Sequence, residues 1–223
     1  NLVYTGTDIE VVLTGNTYQA AFTESSPVST FNSGNQILLN ASGSLQIDNR
    51  ILTYMDNQWK AENEFSWSDL TGKTNVTAVY PVYPDLDYVQ ENLYKNNSLE
   101  DILYVKDEFP AGNSIHLQFK HLFSLLTLHL EGNLQTYFQK IEVTCPAVSS
   151  IIPKSAEIVL ADNGTHTTTI AQVSPSGNYS FIVPPVGNMV IAINMVTNGK
   201  KYTTQLETKS FTGNKEYTYQ KNI

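Results

Sequence analysis

The chain has 223 residues, of which 41% are hydrophobic and 11% aromatic, and its formal net charge is −8 at pH 7. This apolar content is too high for a disordered chain, and the lysines are scattered singly with Arg50 as the one arginine. Nucleic-acid binding is therefore excluded, since it needs clustered basic residues. The single cysteine, Cys145, excludes an internal disulfide and fits a small buried residue better than a reactive thiol.

The first half of the chain shows alternating apolar residues bounded by Gly, Asn, Asp and Pro, which predicts half-buried strands joined by turns. The predicted strands cover residues 9–14, 18–22, 36–40, 51–55, 63–67 and 76–82. Residues 85–103 are predicted to form a long connection with at most a turn or two of helix. The pair Asn96–Asn97 and the short apolar stripe oppose a longer helix there.

The second half continues the same strand pattern. Asn-Gly pairs in "ADNGTH" (161–166) and "VTNGKK" (196–201) lie between alternating segments and predict two hairpins. We therefore expect an all-β fold of two antiparallel β-sandwich domains, residues 1–117 and 118–223. The predicted strands of this half cover residues 114–130, 138–145, 156–161, 166–172, 178–184, 189–197, 200–207 and 215–223.

Two histidines stand out in "FKHLFSLLTLHL" (119–130), a predicted strand with two largely apolar faces. His121 and His129 are eight residues apart, roughly 26 Å on an extended strand, too far to share one metal ion. A histidine between apolar layers can hydrogen-bond through its ring and stay neutral. We therefore favour a structural role for His121 over metal ligation, and we expect no metal site and no cofactor.

Motifs of nucleophile elbows, zinc proteases, P-loops and dinucleotide-binding folds are missing from the sequence. We expect no catalytic residues and no enzymatic activity. A hydrolase with paired carboxylates stays open as an alternative, because five acidic residues crowd one region, although solvated turns explain them equally well. These residues are Glu62, Glu64, Asp69, Asp85 and Asp87.

Aromatic residues are dense between positions 54 and 94, where exposed rings could stack on a sugar or anchor a partner. Trp59, Tyr54 and Tyr83 are the candidate ligand-binding residues. For Trp59, in the hairpin-like "MDNQWKAENE", core packing and ligand binding are equally favoured. Phe65 and Trp67 alternate in "NEFSWSD", and core packing is favoured for both.

The order of several sequence blocks resembles that of the fimbrillin-like family of Bacteroidales, which includes subunits of type V pili. The resemblance covers nearly the whole chain. Two departures are Gly34-Asn35, where the family commonly has Gly-Asp, and Val79-Tyr80-Pro81, where it has a double Tyr before Pro. The blocks include "FNSGNQILL" (31–39), "TYMDNQW" (53–59), "NVTAVYPVYP" (75–84), "LQFKHLFSLLTLHL" (117–130), "YSFIVPPVGNMVIAINMVTNGKKYT" (179–203) and "FTGNKEYTYQKNI" (211–223).

The resemblance implies two transthyretin-like β-sandwiches in an exported lipoprotein of the outer membrane, located in a fimbria at the cell surface. If so, we expect its leader to have been removed and its lipid anchor to lie outside this chain. The implied partners are other pilin subunits, bound by β-strand addition, and a host or bacterial surface ligand. In the "F-x-H" block the matching residues, Phe119 and His121, imply a structural strand at a domain junction.

A terminal strand is the implied means of polymerisation in this family. The terminal "EYTYQKNI" places Tyr217, Tyr219 and Ile223 on one face, as a donated strand requires. The same pattern suits the last strand of the chain's own domain, which we favour because a one-faced strand is ordinarily completed within its chain.

Maturation of major pilins of this family removes the first strand by a cut after an arginine. A cut after Arg50 would instead remove several predicted strands of the first domain. The sequence therefore favours a minor, tip or anchor subunit. The alternative function is a glycan-binding surface lipoprotein that uses the loop aromatics.

Overall fold

The structure is a computed structural model that describes residues 9–13, 31–62, 72–110, 115–132, 139–170, 177–186, 190–197, 199–207 and 211–222. Its strands up to the middle of the chain are β1 (Ile9–Leu13), β2 (Gln36–Gly43), β3 (Ile47–Met55), β4 (Gln58–Ala61), β5 (Thr74–Tyr80), β6 (Tyr94–Lys95), β7 (Ser98–Leu99), β8 (Leu103–Phe109) and β9 (Ile115–His121). The later strands are β10 (Ser124–Glu131), β11 (Lys140–Ile152), β12 (Glu157–Ile170), β13 (Asn178–Val183), β14 (Val190–Thr197), β15 (Lys200–Glu207) and β16 (Glu216–Asn222).

The amino-terminal sheet has seven strands in the order β1-β9-β8-β5-β2-β3-β4. Strand β1 is parallel to β9, and the other neighbours are antiparallel. Ile37 and Leu39 of β2 and Val76 and Ala78 of β5 alternate onto one face, where they form the first core. Period-two alternation in the sequence thus becomes one buried face of this sheet.

The carboxy-terminal sheets have three strands, β13-β10-β16, and four strands, β12-β11-β14-β15. Leu126 and Leu128 of β10 meet Ile141 and Val143 of β11 in the second core. Two sheets that bury apolar faces against each other form a stable layered arrangement. The expectation of an all-β fold is confirmed, whereas the division into two transthyretin-like domains stays a prediction.

The chain passes from the amino-terminal sheet to the carboxy-terminal sheets at Leu122–Phe123, between the end of β9 and the start of β10. The prediction of one continuous strand over 114–130 is therefore wrong. The Leu122 amide donates to the Ile102 carbonyl oxygen at 2.7 Å, outside the strand ladder. Both linking side chains are buried, so the apolar run that suggested one strand is instead a buried crossing between sheets.

A third core joins the two parts of the molecule. Leu38 and Val79, on the face of the amino-terminal sheet opposite the first core, are fully buried in it. Val148 and Ile151 of β11 pack into the same cluster. Because this contact is an apolar core and not a polar linker, burial of each such side chain contributes on the order of 1.5–3 kcal/mol to holding the two parts together.

The two predicted Asn-Gly hairpins have different outcomes. The one at 196–201 is confirmed, since Thr197 of β14 pairs with Lys200 of β15. The one at 161–166 is wrong, since the chain continues in one direction through β12. Residues 161–164 lie between the pairs Pro146–Thr165 and Val148–Leu160 and form a bulge against the single residue Ala147.

The connection 84–99 has the short helical content that the sequence predicts. It contains a 3-10 turn (Pro84–Leu86), one helix, α1 (Gln90–Leu93), and the β6–β7 hairpin. Strands β4 and β8 were not predicted, and the predicted strands 18–22 and 63–67 lie outside the described residues. Across the described ranges, no helix is long and apolar enough to cross a membrane.

Candidate functional site

The terminal strand β16 lies at one edge of the three-stranded sheet and pairs in parallel with β10. Within the part of the chain that the structure describes, no strand pairs with the other side of β16. Tyr217 and Tyr219 pack against the second core, and the Phe211 ring stacks on Tyr217 with 4.2 Å between centroids. This in-chain pairing is the one that the sequence analysis favours. Ile223 lies outside the described residues.

The turn that precedes β16 contacts the crossing between the sheets. The His121 amide donates to Asn214 Oδ1 at 3.0 Å, and the Asn214 amide donates to the Phe123 carbonyl at 2.9 Å. A Cβ on Gly213 would lie 2.5 Å from the Leu122 carbonyl oxygen, so the backbones approach too closely for a side chain. The start of β16 therefore helps to hold the junction of the two parts.

A buried hydrogen-bonded pair of side chains lies at the same crossing. Nδ1 of His121 lies 2.7 Å from Oδ2 and 3.0 Å from Oδ1 of Asp101, and both side chains are buried. His129 lies in the other sheet, with Nδ1 2.6 Å from Asn178 Oδ1. Among the described residues, no group of three or more His, Cys, Asp or Glu could hold a metal ion. The contacts of His121 are thus those of a structural residue.

Two of the three aromatic candidates, Trp59 and Tyr83, are buried. Trp59 is 4% exposed, and its ring contacts Phe31 at 5.1 Å and the half-buried Tyr54 at 5.2 Å between centroids. Tyr83 is 5% exposed, its hydroxyl donates to the Glu100 carboxylate, and burial raises its pKa far above the ordinary value. For Trp59 the burial favours core packing, one of the two interpretations that the sequence leaves open, and the buried Tyr83 likewise offers no free face for stacking.

The residues considered for catalysis are Cys145 and five carboxylates, and those that the structure describes have the surroundings of non-catalytic residues. Burial raises the pKa of Cys145 to about 12, so its thiol stays protonated near neutral pH and cannot act as a nucleophile. Three of the five carboxylates are exposed in or beside turns, which is the solvated placement that the sequence analysis offers as an explanation. The exposed three are Glu62, Asp85 and Asp87, and Glu64 and Asp69 lie outside the described residues.

A polar groove that the sequence did not reveal lies beside the third core, on the same face of the amino-terminal sheet. Its volume is about 590 Å³, within the range of small-molecule sites, roughly 300–1,000 Å³. Neighbouring strands place Asn40, Thr77 and Lys106 in one cross-strand row and Ser42, Asn75 and Glu108 in the next. We call this cavity the polar groove, and its lining consists of these six residues with Ala41, Gln46, Ile47, Asp48, Asp107, Lys154 and Ser155.

A bulge in β3 shapes one side of the polar groove. Between the pairs Leu39–Arg50 and Ala41–Ile47, the single residue Asn40 faces two residues, Asp48 and Asn49. The bulge breaks the ladder, and the Asn49 amide donates to Asn40 Oδ1 at 2.8 Å instead. Asp48 Oδ1 accepts from Lys154 Nζ of the β11–β12 turn at 2.7 Å. The bulge thus connects both parts of the molecule at the groove.

Two buried polar atoms of the polar groove have no hydrogen-bond partner. They are Nδ2 of Asn40, a residue that is 6% exposed, and Oγ of Ser155. Buried polar groups are nearly always paired, and an unpaired one costs on the order of 1–3 kcal/mol. This groove is therefore the feature of the described structure most suited to take up a small polar molecule.

Comparison with protein families gives one match, in which a model described as "Fimbrillin-like" covers residues 14–223 of the chain. No curated protein sequence matches the chain. Among solved structures, a proposed cell adhesion protein from Bacteroides uniformis is 14% identical with a TM-score of 0.61, and the alignment covers 92% of this chain and 91% of that one.

Two further solved structures come from Bacteroides ovatus. A proposed cell adhesion protein is 13% identical with a TM-score of 0.61, covering 96% of this chain and 91% of that one. A fimbrial protein is 16% identical with a TM-score of 0.52, covering 99% of this chain and 50% of that one. At these identities the structures show a shared fold.

Proposed function

The chain belongs to the fimbrillin-like family, and from this membership we propose that it is a non-catalytic fimbrial subunit at the cell surface that contributes to adhesion. Its finer role is that of a minor, tip or anchor subunit joined to its neighbours by β-strand addition. We further propose two transthyretin-like domains, residues 1–117 and 118–223, and attachment to the outer membrane by a lipid anchor outside this chain.

The position of β16 is the observation that supports strand addition. It lies at a sheet edge, and Tyr217 and Tyr219 pack from it against the second core. A second copy of this chain could supply the same strand to the same edge of β10 with the same contacts, because the two sequences are identical. The alternation of side chains would keep the donated strand in one register, since a one-residue slip would expose both tyrosines.

Disulfide trapping between two differently tagged full-length chains tests this proposal. Thr127 of β10 faces Thr218 of β16 in the parallel ladder. One chain carries Thr127→Cys, the other carries Thr218→Cys, and both carry Cys145→Ala. Strand exchange predicts a covalent dimer that contains both tags. In the matched control, the second chain carries Thr203→Cys in place of Thr218→Cys. Thr203 lies on strand β15 of the other sheet.

Two results would contradict strand exchange. If a disulfide forms only when both cysteines are in the same chain, β16 completes its own sheet and is not exchanged. Removal of residues 216–223 that left self-association unchanged would also count against β16 as the donated strand.

A further inference from the structure

We propose that the polar groove binds a neutral saccharide. This site goes beyond assembly by strand addition and holds whether or not β16 is exchanged. It also differs from the aromatic platform considered above, since none of the groove's lining residues is aromatic. The ligand would be held by hydrogen bonds from amide, hydroxyl and amino groups of both parts of the molecule.

The unpaired atoms give the first argument for a ligand. Asn40 Oδ1 is already used by the Asn49 amide, so Nδ2 is fixed in orientation with a donor left unused. Ser155 Oγ, from the β11–β12 turn, can both donate and accept. A sugar hydroxyl also donates and accepts at one atom, so one class of ligand can satisfy both groups.

The charges of the polar groove argue for a neutral ligand. Its lining holds Lys106 and Lys154 together with Asp48, Asp107 and Glu108, so positive and negative groups nearly balance. Asp48 is paired with Lys154, and Glu108 is paired with Lys73, each at 2.7 Å. A phosphate site would need an excess of basic residues or backbone amides, and no described cluster of acidic residues suits a metal ion.

The two cross-strand rows that form the floor of the polar groove give the second argument for a ligand. Asn40, Thr77 and Lys106 lie side by side on three paired strands, and Ser42, Asn75 and Glu108 repeat that row two residues further on. Adjacent strands lie about 4.8 Å apart, and so polar groups recur at a regular spacing across these two rows. The rigid sheet holds these groups in place before the ligand arrives, which lowers the entropy cost of binding.

The test measures binding of the full chain to four neutral disaccharides, maltose, cellobiose, lactose and mannobiose, by saturation-transfer NMR and calorimetry. At least one should bind, and Thr77→Val, which removes a hydroxyl at nearly constant shape, should weaken it about tenfold. Asn40→Asp keeps the Oδ1 acceptor but replaces the Nδ2 donor, and it should abolish binding. Thr169→Val on β12, outside the groove, is the matched control and should bind as the wild type does.

Several results would overturn the proposal. Failure of all four disaccharides to bind would indicate that water alone satisfies Asn40 and Ser155. Equal binding by wild type and Thr77→Val, with unchanged thermal stability, would place any sugar elsewhere. Preferential binding of inorganic phosphate would contradict the neutral class. Each readout uses single chains at low concentration, so a failure of subunit assembly cannot be mistaken for a failure of sugar binding.

Discussion

Two rows of residues on one face of the amino-terminal sheet have opposite roles. Leu38 and Val79, with Tyr104 beside them, form an apolar row that is covered by the third core. Two residues along the same strands, Asn40 and Thr77 are 6% and 7% exposed and line the polar groove, and Lys106 beside them is exposed in it. Because strands and face are the same, the polarity of the side chains decides where the two parts meet and where a cavity remains.

The energetic reason is the different cost of covering each row. Leu38 and Val79 are completely buried, and each gains on the order of 1.5–3 kcal/mol from leaving water. Covering the exposed Asn75 or Lys106 with apolar side chains would cost free energy unless every polar group found a partner. The apolar contact therefore ends where the polar row begins, and each of the following changes tests that boundary.

The largest effect is expected from Leu38→Asn, which places a polar side chain in the apolar row. It loses buried apolar contacts and leaves an amide without a partner, which should lower the free energy of unfolding by about 4 kcal/mol. Urea denaturation of the full chain measures this loss. Leu38→Met keeps the volume and should cost less than about 1.5 kcal/mol. Equal losses for the two variants would contradict the role of polarity.

A smaller effect is expected from Asp101→Ala, which removes the carboxylate beside His121 in the otherwise apolar junction. The loss of this carboxylate should cost about 3 kcal/mol, since the buried imidazole loses the hydrogen bond between its Nδ1 and Asp101. Asp101→Asn keeps an acceptor and should retain most of the stability. If Asp101→Ala unfolds at the same urea concentration as the wild type, the pair does not help to hold the junction.

A reciprocal pair of substitutions on β5 compares the two rows directly. Val79→Thr adds a hydroxyl to the apolar row and should cost about 1–3 kcal/mol, because that hydroxyl is buried without a partner. Thr77→Val makes the opposite change in the polar row and should alter stability by less than about 1 kcal/mol. Thermal unfolding of both proteins measures the difference. A larger loss for Thr77→Val would reverse our assignment of the rows.

The smallest effect is expected at the exposed ion pair between Asp48 and Lys154. The hydrogen bond from Lys154 holds the pKa of Asp48 below its ordinary value of 3.8. The pair therefore stabilises the fold at pH values above 3.8, and this contribution disappears as the pH falls through the lowered pKa. Lys154→Ala should raise the pKa of Asp48 in an NMR titration with little change in thermal stability. An unchanged titration would show that the pair does not form in solution.

The sequence predicts local features better than long-range ones. The ends of strands β14 and β15 can be predicted from the alternation of apolar residues and from the Asn-Gly pair, because a hairpin needs only neighbouring residues. The same dipeptide at Asn163-Gly164 gives a bulge, because the strand segments on both sides pair with the one long strand β11. Strand β8 was missed because Lys106, Asp107 and Glu108 in its second half are all charged and exposed, so no alternation signals a strand there.

The sequence by itself determined that the chain is all-β and that it resembles fimbrillin-like proteins. These properties depend on the periodicity of apolar residues and on the order of motifs, and both can be seen in the linear sequence. Only the tertiary structure decided that Trp59 is buried and that Asn40, Thr77 and Ser155 share one groove. Those relations depend on strand register and on the packing of distant segments, and a shift of one residue would reverse them.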